Sequence, residues 1–151
     1  SISGPGIIEG LYEGAKPFIE RGEDRGLIML AQMTPEGNLF TPEYTESTIK
    51  MSDSHPEFVV GFIGTGSQPD KLKNELASKA NPRFIIATPG IRFGKTEGDL
   101  RQRYAGPENA VYSGSDLLIV GGGIYKAENP LKAAKEYREV GWDAYQQRQR
   151  G

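Results

Sequence analysis

Three consecutive glycines directly after an apolar segment form the pattern in this sequence best suited to binding chemistry. Residues 117–120 (LLIV) have the length and composition of a buried strand, and Gly121, Gly122 and Gly123 follow without a break. Consecutive glycines let backbone N–H groups approach an anion closely, and ligands of parallel α/β sheets bind beyond the carboxyl ends of the strands. The pattern indicates an anion site, and a tight turn that needs glycine for positive φ is the alternative.

Three further apolar runs also end in polar loops that contain glycine. These loops cover residues 32–37 (QMTPEG), 64–68 (GTGSQ) and 88–95 (TPGIRFGK). Each loop alone is typical of an ordinary turn. Because the carboxyl ends of parallel strands meet at one rim, the four loops together predict a ligand site at that rim.

The elements that must position these loops alternate along the chain. Continuous apolar runs predict four strands, buried on both faces as in a parallel sheet, over residues 26–31, 58–63, 83–87 and 117–120. Helices are predicted over residues 7–19, 43–52, 70–79 and 129–147, with Thr41 as the N-cap of the second and Asn129 as the N-cap of the last. The expected apolar face of the first is Ile8, Leu11, Ala15 and Phe18, and that of the last is Leu131, Ala134, Tyr137 and Trp142.

This alternation predicts βα units with right-handed crossovers and leaves two α/β folds open. One is an open doubly wound sheet, and the other is a (β/α)₈ barrel. An eight-stranded barrel typically needs about 250 residues. This chain has 151 residues and can supply half of a barrel. Half a barrel has two open parallel edges, which makes it a poor stable monomer.

Composition excludes several classes of function. The formal net charge of −2 gives no reason to expect nucleic-acid or membrane-surface binding. The absence of cysteine excludes disulfides, thiolate metal sites and cysteine nucleophiles. No apolar run is long enough for a membrane helix, and nothing resembles a signal peptide, so a cytoplasmic location is expected. The first residue is Ser1, which suggests a processed product, a fragment or a trimmed chain.

Several segments, in order and with similar spacing, resemble the C-terminal half of orotidine 5′-phosphate decarboxylase of the fungal and animal type. They are residues 26–33 (GLIMLAQM), 58–63 (FVVGFI), 88–91 (TPGI), 98–104 (GDLRQRY), 114–127 (GSDLLIVGGGIYKA) and 141–145 (GWDAY). The resemblance implies a TIM barrel, with residues 1–151 forming one half-barrel unit that supplies strands five to eight. It also implies an N-terminal half-barrel as partner, a dimer of barrels, and decarboxylation to UMP without a cofactor or metal.

The resemblance also assigns roles to individual residues. Thr34 matches the residue whose backbone reads the pyrimidine edge, and Pro89 lies in the loop that closes over the ligand. Gln102 and Tyr104 match two phosphate-binding side chains, and the turn from Gly121 to Gly123 matches the phosphate turn after the last strand. A solvated helix face is the alternative for Gln102 and Tyr104.

Three positions depart from the family pattern. The family reads Gly-Arg-Gly at the phosphate turn, and here the middle residue is Gly122. Loss of an arginine fork is expected to weaken phosphate binding by ~2–3 kcal/mol. Gln32 stands where the family usually has glutamate, and Pro42 replaces a glycine. The nearby Arg92, Arg101 and Arg103 either compensate for the missing charge or are solvated surface residues, and the second interpretation is favoured.

The family's catalytic lysines and aspartates belong to the N-terminal half, so no catalytic residue is expected in this chain. Asp70, Lys71 and Lys73 are the segment most similar to the family's series of lysines and aspartates, but they fall in a polar loop. The lone His55 precedes a strand and so lies at the opposite rim.

Two functions stay open. The chain is either the ligand-binding half of a two-part decarboxylase, or part of a divergent paralogue with a changed substrate (other lyase or cyclase chemistry) or a non-catalytic scaffold role.

Overall fold

Strands and helices alternate along the chain, as the sequence predicts. The structure is a computed structural model that describes residues 4–35, 37–65, 75–94 and 104–150. The strands within these ranges are β1 (Leu27–Leu30), β2 (Val59–Ile63), β3 (Ile85–Thr88) and β4 (Leu117–Leu118). The helices are α1 (Gly6–Ile19), α2 (Pro42–Asp53), α3 (Glu75–Lys79), α4 (Pro107–Tyr112), α5 (Gly122–Tyr125) and α6 (Pro130–Arg150). None of these helices is long and apolar enough to cross a membrane.

The four strands form one parallel sheet in the order β1-β2-β3-β4. Each strand therefore lies beside the next strand in sequence. A doubly wound sheet reverses its strand order at a switch point, and no reversal occurs among the described strands. Because β1 and β4 each pair on one side and do not meet, the sheet is an unclosed part of a barrel. The half-barrel prediction is confirmed.

One face of the sheet carries the main hydrophobic core. Met29, Phe62 and Ile86 lie side by side in adjacent strands, and all three are buried. Ile8 of α1 and Leu76 of α3 pack in the same cluster. The buried face is therefore the one that the flanking helices cover.

The opposite face of the sheet is apolar and open. Its exposed side chains are 39–50% accessible, and they are Ile28, Leu30, Ile85, Leu117 and Ile119. The prediction that the strands are buried on both faces is wrong for these five residues, although Gly61 and Ala87 on the same face are buried. The composition is that of an interior sheet, but no layer of the described chain covers this side.

The ends of the helices follow local signals in the sequence, whereas their buried faces follow tertiary packing. Thr41 caps α2 by accepting a hydrogen bond from the Tyr44 N–H (3.2 Å), and Asn129 caps α6 by accepting from the Lys132 N–H (3.0 Å). The predicted faces of α1 and α6 are partly wrong. The exposed members are Leu11, Phe18, Leu131 and Trp142, and the buried or packed residues instead are Tyr12, Ile19, Gly141 and Ala144.

Candidate ligand site at the carboxyl end of the sheet

The loops after β1 and β2 are joined by a polar contact on the open side of the sheet. The Gln32 side-chain oxygen accepts hydrogen bonds from the Thr65 N–H (3.1 Å) and from the Thr65 hydroxyl (3.2 Å). A carboxylate at position 32 has the same acceptor geometry, so glutamate can make both bonds. Gln32 therefore fixes the positions of the first two loops relative to each other.

The loop that contains Thr34 is held by its own side chains and by α2. The Asn38 amide donates to the carbonyls of Met33 (3.2 Å) and Pro35 (2.7 Å). The Thr45 hydroxyl of α2 donates to the Ala31 carbonyl (3.0 Å), which fixes the end of β1. Thr34 is buried in this loop, so its backbone has a defined place at the carboxyl end of the sheet.

The chain after β3 turns so that two separate segments lie side by side. The Arg92 N–H donates to the Ala105 carbonyl (3.0 Å), and the Ala105 N–H donates to the Gly90 carbonyl (2.9 Å). Pro89 lies half-buried at the start of this turn, and Gly90 has a φ of 72°. Because Tyr104 directly precedes Ala105, these bonds bring the predicted ligand residues 89 and 104 to the same rim.

Arg92 packs against the ring of Tyr104. The guanidinium carbon lies 5.6 Å from the ring centre, within the range of a cation–π contact. Arg92 is half-buried, and Tyr104 is 37% exposed. Arg92 is therefore a partly exposed side chain that packs on an aromatic ring.

The triple glycine forms the start of α5. None of its residues has a positive φ, so the tight-turn alternative does not explain the glycines. A Cβ on Gly123 would lie 3.0 Å from Cζ of Tyr137 and closer still to the phenol oxygen, which excludes a side chain there. A Cβ on Gly122 would meet nothing nearer than Lys126 Cδ at 3.7 Å. A side chain at position 123 would therefore have to displace the Tyr137 phenol, whereas a Cβ at position 122 makes only ordinary contacts.

The glycine turn presents backbone donors. The carbonyl of Gly121 accepts from the N–H groups of Ile124 (2.9 Å) and Tyr125 (3.3 Å), which begins the helix. Within the described part of the chain, the N–H groups of Gly122 and Gly123 donate to no backbone carbonyl outside the elements. They occupy the first turn of α5, where helical N–H groups have no partner inside the helix. The turn can therefore donate hydrogen bonds to an acceptor outside it.

Tyr137 connects the glycine turn to the loop after β3. Its phenol oxygen accepts a hydrogen bond from the Phe93 N–H (3.1 Å), and its ring stacks on Phe93 at 4.2 Å. The same phenol occupies the space beside Gly123. Tyr137 of α6 is buried and holds two of the candidate ligand loops together.

Several residues noted in the sequence lie outside the described residues or at the other end of the sheet. Gln102, with Arg101 and Arg103, lies outside the described residues, as does the segment from Asp70 to Lys73. His55 lies in the turn before β2, at the opposite end of the sheet, with its Nδ1 3.7 Å from a Glu57 carboxylate oxygen. Within the described residues, no group of three histidine or acidic side chains is arranged to hold a metal ion.

Two of the pKa shifts within the described residues belong to an ion-pair cluster away from this rim. Lys79 of α3 contacts the carboxylates of Glu46 (2.6 Å) and Glu75 (2.7 Å). The hydrogen bond from Lys79 holds the pKa of Glu46 below its usual value, and these carboxylates raise the pKa of Lys79. These groups are exposed and tie α2 to α3, so they concern stability and not the ligand site.

Three features of the site were not predicted as contacts from the sequence: the Gln32–Thr65 pair, the Arg92–Tyr104 stack and the position of Tyr137 between two loops. Gln32 and Arg92 were noted only as a family departure and as a nearby charge. The sequence did contain a signal for these two contacts, because Gln32 and Arg92 both lie in loops that follow predicted strands. Tyr137 gave no such signal, since an aromatic residue at helical spacing is usual in a core.

The fold and the site together define a class of protein: a parallel α/β half-barrel whose polar loops converge beyond the carboxyl ends of its strands. A sequence profile of the orotidine 5′-phosphate decarboxylase / HUMPS family matches residues 1–137. The chain belongs to this family.

Similar proteins agree with this assignment. The orotidine 5′-phosphate decarboxylase of Coccidioides immitis is 39% identical over 149 residues, which cover 97% of this chain and 53% of the relative. That of Penicillium chrysogenum is 37% identical over 145 residues, which cover 95% of this chain and 51% of the relative. The chain therefore spans about half the length of the curated relatives it matches.

Solved structures show the same relationship. The orotidine 5′-phosphate decarboxylase of Pyrococcus horikoshii superposes with a TM-score of 0.57 at 29% identity, covering 76% of this chain and 50% of that chain. The enzyme of Sulfolobus solfataricus gives a TM-score of 0.59 at 22% identity, covering 85% and 54% respectively. The second match concerns the fold alone. Both matches agree with half of a barrel.

Proposed function

We propose that this chain is the ligand-binding half of an orotidine 5′-phosphate decarboxylase-like barrel. Membership of the family over residues 1–137 carries the proposal. The half-barrel pairs with an N-terminal half that contributes the reactive lysine and aspartate residues, whether on the same or a separate polypeptide, and two such barrels form a dimer.

The geometry of the rim supports binding of a nucleotide 5′-phosphate. The glycine turn offers N–H donors at Gly122 and Gly123, and the adjacent loop presents Tyr104. Backbone amides and neutral hydroxyl groups bind a phosphate dianion without titrating themselves. Thr34 lies at the end of β1, on a loop fixed by Asn38, where its backbone can pair with the base. Pro89 lies on the loop after β3.

Two features support the need for an N-terminal half. The open face of the sheet carries aliphatic side chains that are 39–50% exposed, and among the described strands β1 and β4 each pair on one side only. A groove of about 1050 Å³ runs beside β4 and α6 and is lined in part by Trp142 and Tyr145. Four further βα units would pair with both edges, fill the interior and cover this groove.

In the proposed reaction, the bond between C6 of the pyrimidine and its carboxylate breaks. Carbon dioxide leaves, and the electron pair of the broken bond stays at C6. A lysine ammonium group of the N-terminal half then protonates C6 and gives UMP. The role of this chain is to orient the nucleotide through its base and its phosphate, which leaves the carboxylate in the charged environment formed by the other half.

The test is reconstitution. The chain is co-expressed with its own N-terminal half, and the complex is titrated with UMP by calorimetry and assayed for release of carbon dioxide from orotidine 5′-phosphate. The expected result is UMP binding with a micromolar or lower Kd and decarboxylation by the complex but not by either half. A complex that forms but neither binds UMP nor releases carbon dioxide contradicts the proposal.

A divergent paralogue is the second candidate, and Gly122 is the observation that favours it. The backbone leaves room for a side chain at this position, so the fold does not explain the missing arginine. A paralogue that has lost the phosphate ligand is expected to bind UMP poorly and to have an N-terminal half without the lysine and aspartate array. In that case Gly122→Arg is expected to create UMP binding without decarboxylation.

A further inference from the structure

We infer that two copies of this chain close one barrel between them when the N-terminal half is absent, each copy supplying four of the eight strands. This association differs from the dimer of complete barrels proposed above, because the two copies share a single interior. It goes beyond the proposed function, since it concerns what the half-barrel binds in place of its N-terminal half.

The two edges of the sheet complement each other. Among the described strands, β1 and β4 each pair on one side only, and every pairing in the sheet is parallel. A two-fold axis along the barrel brings β1 of one copy beside β4 of the other, and does so twice. Both new pairings are parallel, and the resulting eight strands are the number that closes a packed barrel. A second copy therefore pairs with both edges at once.

Helix α1 carries an exposed apolar stripe beside its buried face. Each exposed member directly precedes a packed member along the helix. The exposed residues are Ile7, Leu11 and Phe18, and the packed residues are Ile8, Tyr12 and Ile19. Because successive residues of an α-helix are rotated by about 100°, the exposed stripe lies on one flank of the buried face.

Helix α6 has the opposite arrangement. Its exposed aromatic residues Trp142 and Tyr145 directly follow the buried Gly141 and Ala144. Helices of a βα fold run opposite to its strands, so α1 and α6 run in the same direction with their buried faces toward the sheet. The two exposed stripes therefore point in opposite lateral directions, that of α6 toward the open edge of β4 and that of α1 toward the open edge of β1.

The stripe on α6 borders a groove that a helix can fill. The groove has a volume of about 1050 Å³, and its lining includes Leu118 of β4 with Trp142 and Tyr145. The two-fold arrangement places α1 of the second copy beside this groove, so that Leu11 and Phe18 face the two aromatic rings. The groove and the helix that covers it are both present on this one chain.

The surface of the chain is large enough for such a dimer. Its accessible area is 9838 Å², whereas a compact monomer of 16.5 kDa typically exposes about 7,600 Å². The excess is about 2,000 Å², and each subunit of an obligate homodimer typically buries about 1,000–2,500 Å². The formal net charge of each copy is only −2, so repulsion between the copies is weak.

The test measures the mass of the purified chain alone, by size-exclusion chromatography with light scattering. We expect twice the monomer mass of 16.5 kDa. Leu11→Lys and Trp142→Glu each place a charge in the contact between α1 and α6. Both positions are exposed in the single chain, so circular dichroism should show an unchanged fold. Each variant alone is expected to self-associate at least about 10-fold more weakly.

An equimolar mixture of these two variants identifies the contact. In a mixed dimer, the introduced lysine faces the introduced glutamate at one contact between α1 and α6, and the other contact keeps its original residues. We therefore expect the mixture to recover the dimer that neither variant forms alone. Leu39→Lys is the matched control, because Leu39 is a loop residue that is 93% exposed, and this variant should dimerise normally.

The outcomes separate this inference from the proposed function. A monomeric chain, a dimer that persists in both variants, or a mixture that stays monomeric would each overturn the inference. If the chain is monomeric but its complex with the N-terminal half binds UMP, the proposed function stands without the inference. If the chain dimerises through these helices and its complex with the N-terminal half binds no UMP, the proposed function fails and the inference stands.

Discussion

The two faces of the sheet have similar compositions and opposite surroundings. Met29, Phe62 and Ile86 face the helices and are buried. Ile28 and Ile85 lie on the open face and are each 41% exposed. Hydrophobic strands alone therefore do not define a core, because a covering layer is also needed. The difference between the faces supports the proposal that a second half-barrel completes this chain.

The largest expected effect is on the covered face. Phe62 is fully buried and its ring meets that of Phe84 edge to face at 5.1 Å. Phe62→Ala removes most of a large side chain from a packed core and is expected to destabilise the assembled barrel by about 3–5 kcal/mol. Urea denaturation followed by circular dichroism measures this loss. A loss below about 1 kcal/mol would mean that the covered face is not the core.

On the open face, the effect is expected to depend on assembly. Leu30→Asn places an amide at a position that is 39% exposed in this chain alone. The proposed closure of the barrel would bury this position. We expect no loss of helix signal in the isolated chain, and a loss of about 2–4 kcal/mol or failure to form the complex with the N-terminal half. Size-exclusion chromatography of the two halves measures complex formation. Leu39→Asn, at a loop residue that is 93% exposed, is the control and should assemble normally.

At the carboxyl end of the sheet the open face changes from apolar to polar, and Gln32 lies at this change. Substitutions at position 32 test whether its contact with Thr65 matters. Gln32→Leu removes the acceptor that the Thr65 N–H and hydroxyl share, which is expected to destabilise the barrel by about 0.5–1.5 kcal/mol and to weaken UMP binding. Gln32→Glu keeps both acceptor bonds and should retain UMP affinity. Equal effects of the two substitutions would show that the Thr65 contact does not matter.

The smallest effect is expected outside both faces, at the ion pairs between α2 and α3. The contact with Lys79 holds the pKa of Glu46 below its usual 4.5, so this stabilisation is present above that pH and is lost as the pH falls through the folded-state value. Because the pKa of Lys79 is raised, the same stabilisation persists above pH 10.5, where an ordinary lysine loses its charge. Lys79→Met should lower Tm slightly at pH 7, and the difference from wild type should shrink as the pH falls below 4.5. Lys132→Met is the control for the loss of one positive charge, because Lys132 lies 3.8 Å from the Glu136 carboxylate and does not join α2 to α3.

Features encoded locally were predicted well from the sequence. The three longer strands, the Thr41 cap of α2 and the Asn129 cap of α6 each depend on a few adjacent residues. The short helices α4 and α5 were missed, because four to six residues that include proline or glycine give too little periodicity to recognise. The faces of α1 and α6 were partly wrong, since several apolar residues compete for burial and tertiary packing decides between them.

The candidate site was predicted at the level of loops and not of contacts. Four strand ends at one rim follow from parallel strands, but the pairing of Gln32 with Thr65 spans 33 positions in the chain. The same holds for Phe93 and Tyr137, which are 44 positions apart. Such contacts depend on how separate βα units pack, which no local pattern encodes.

The contrast between Gly122 and Gly123 also has an evolutionary consequence. Every glycine codon becomes an arginine codon by a single base change, and the space around Gly122 accepts a side chain without repacking. If the turn binds phosphate as proposed, its charge can therefore change, and change back, in one mutational step. The neighbouring Gly123 has no such freedom, because the Tyr137 phenol already occupies the volume that any substitution would need. Selection can act on charge at one position while the next position keeps the turn intact.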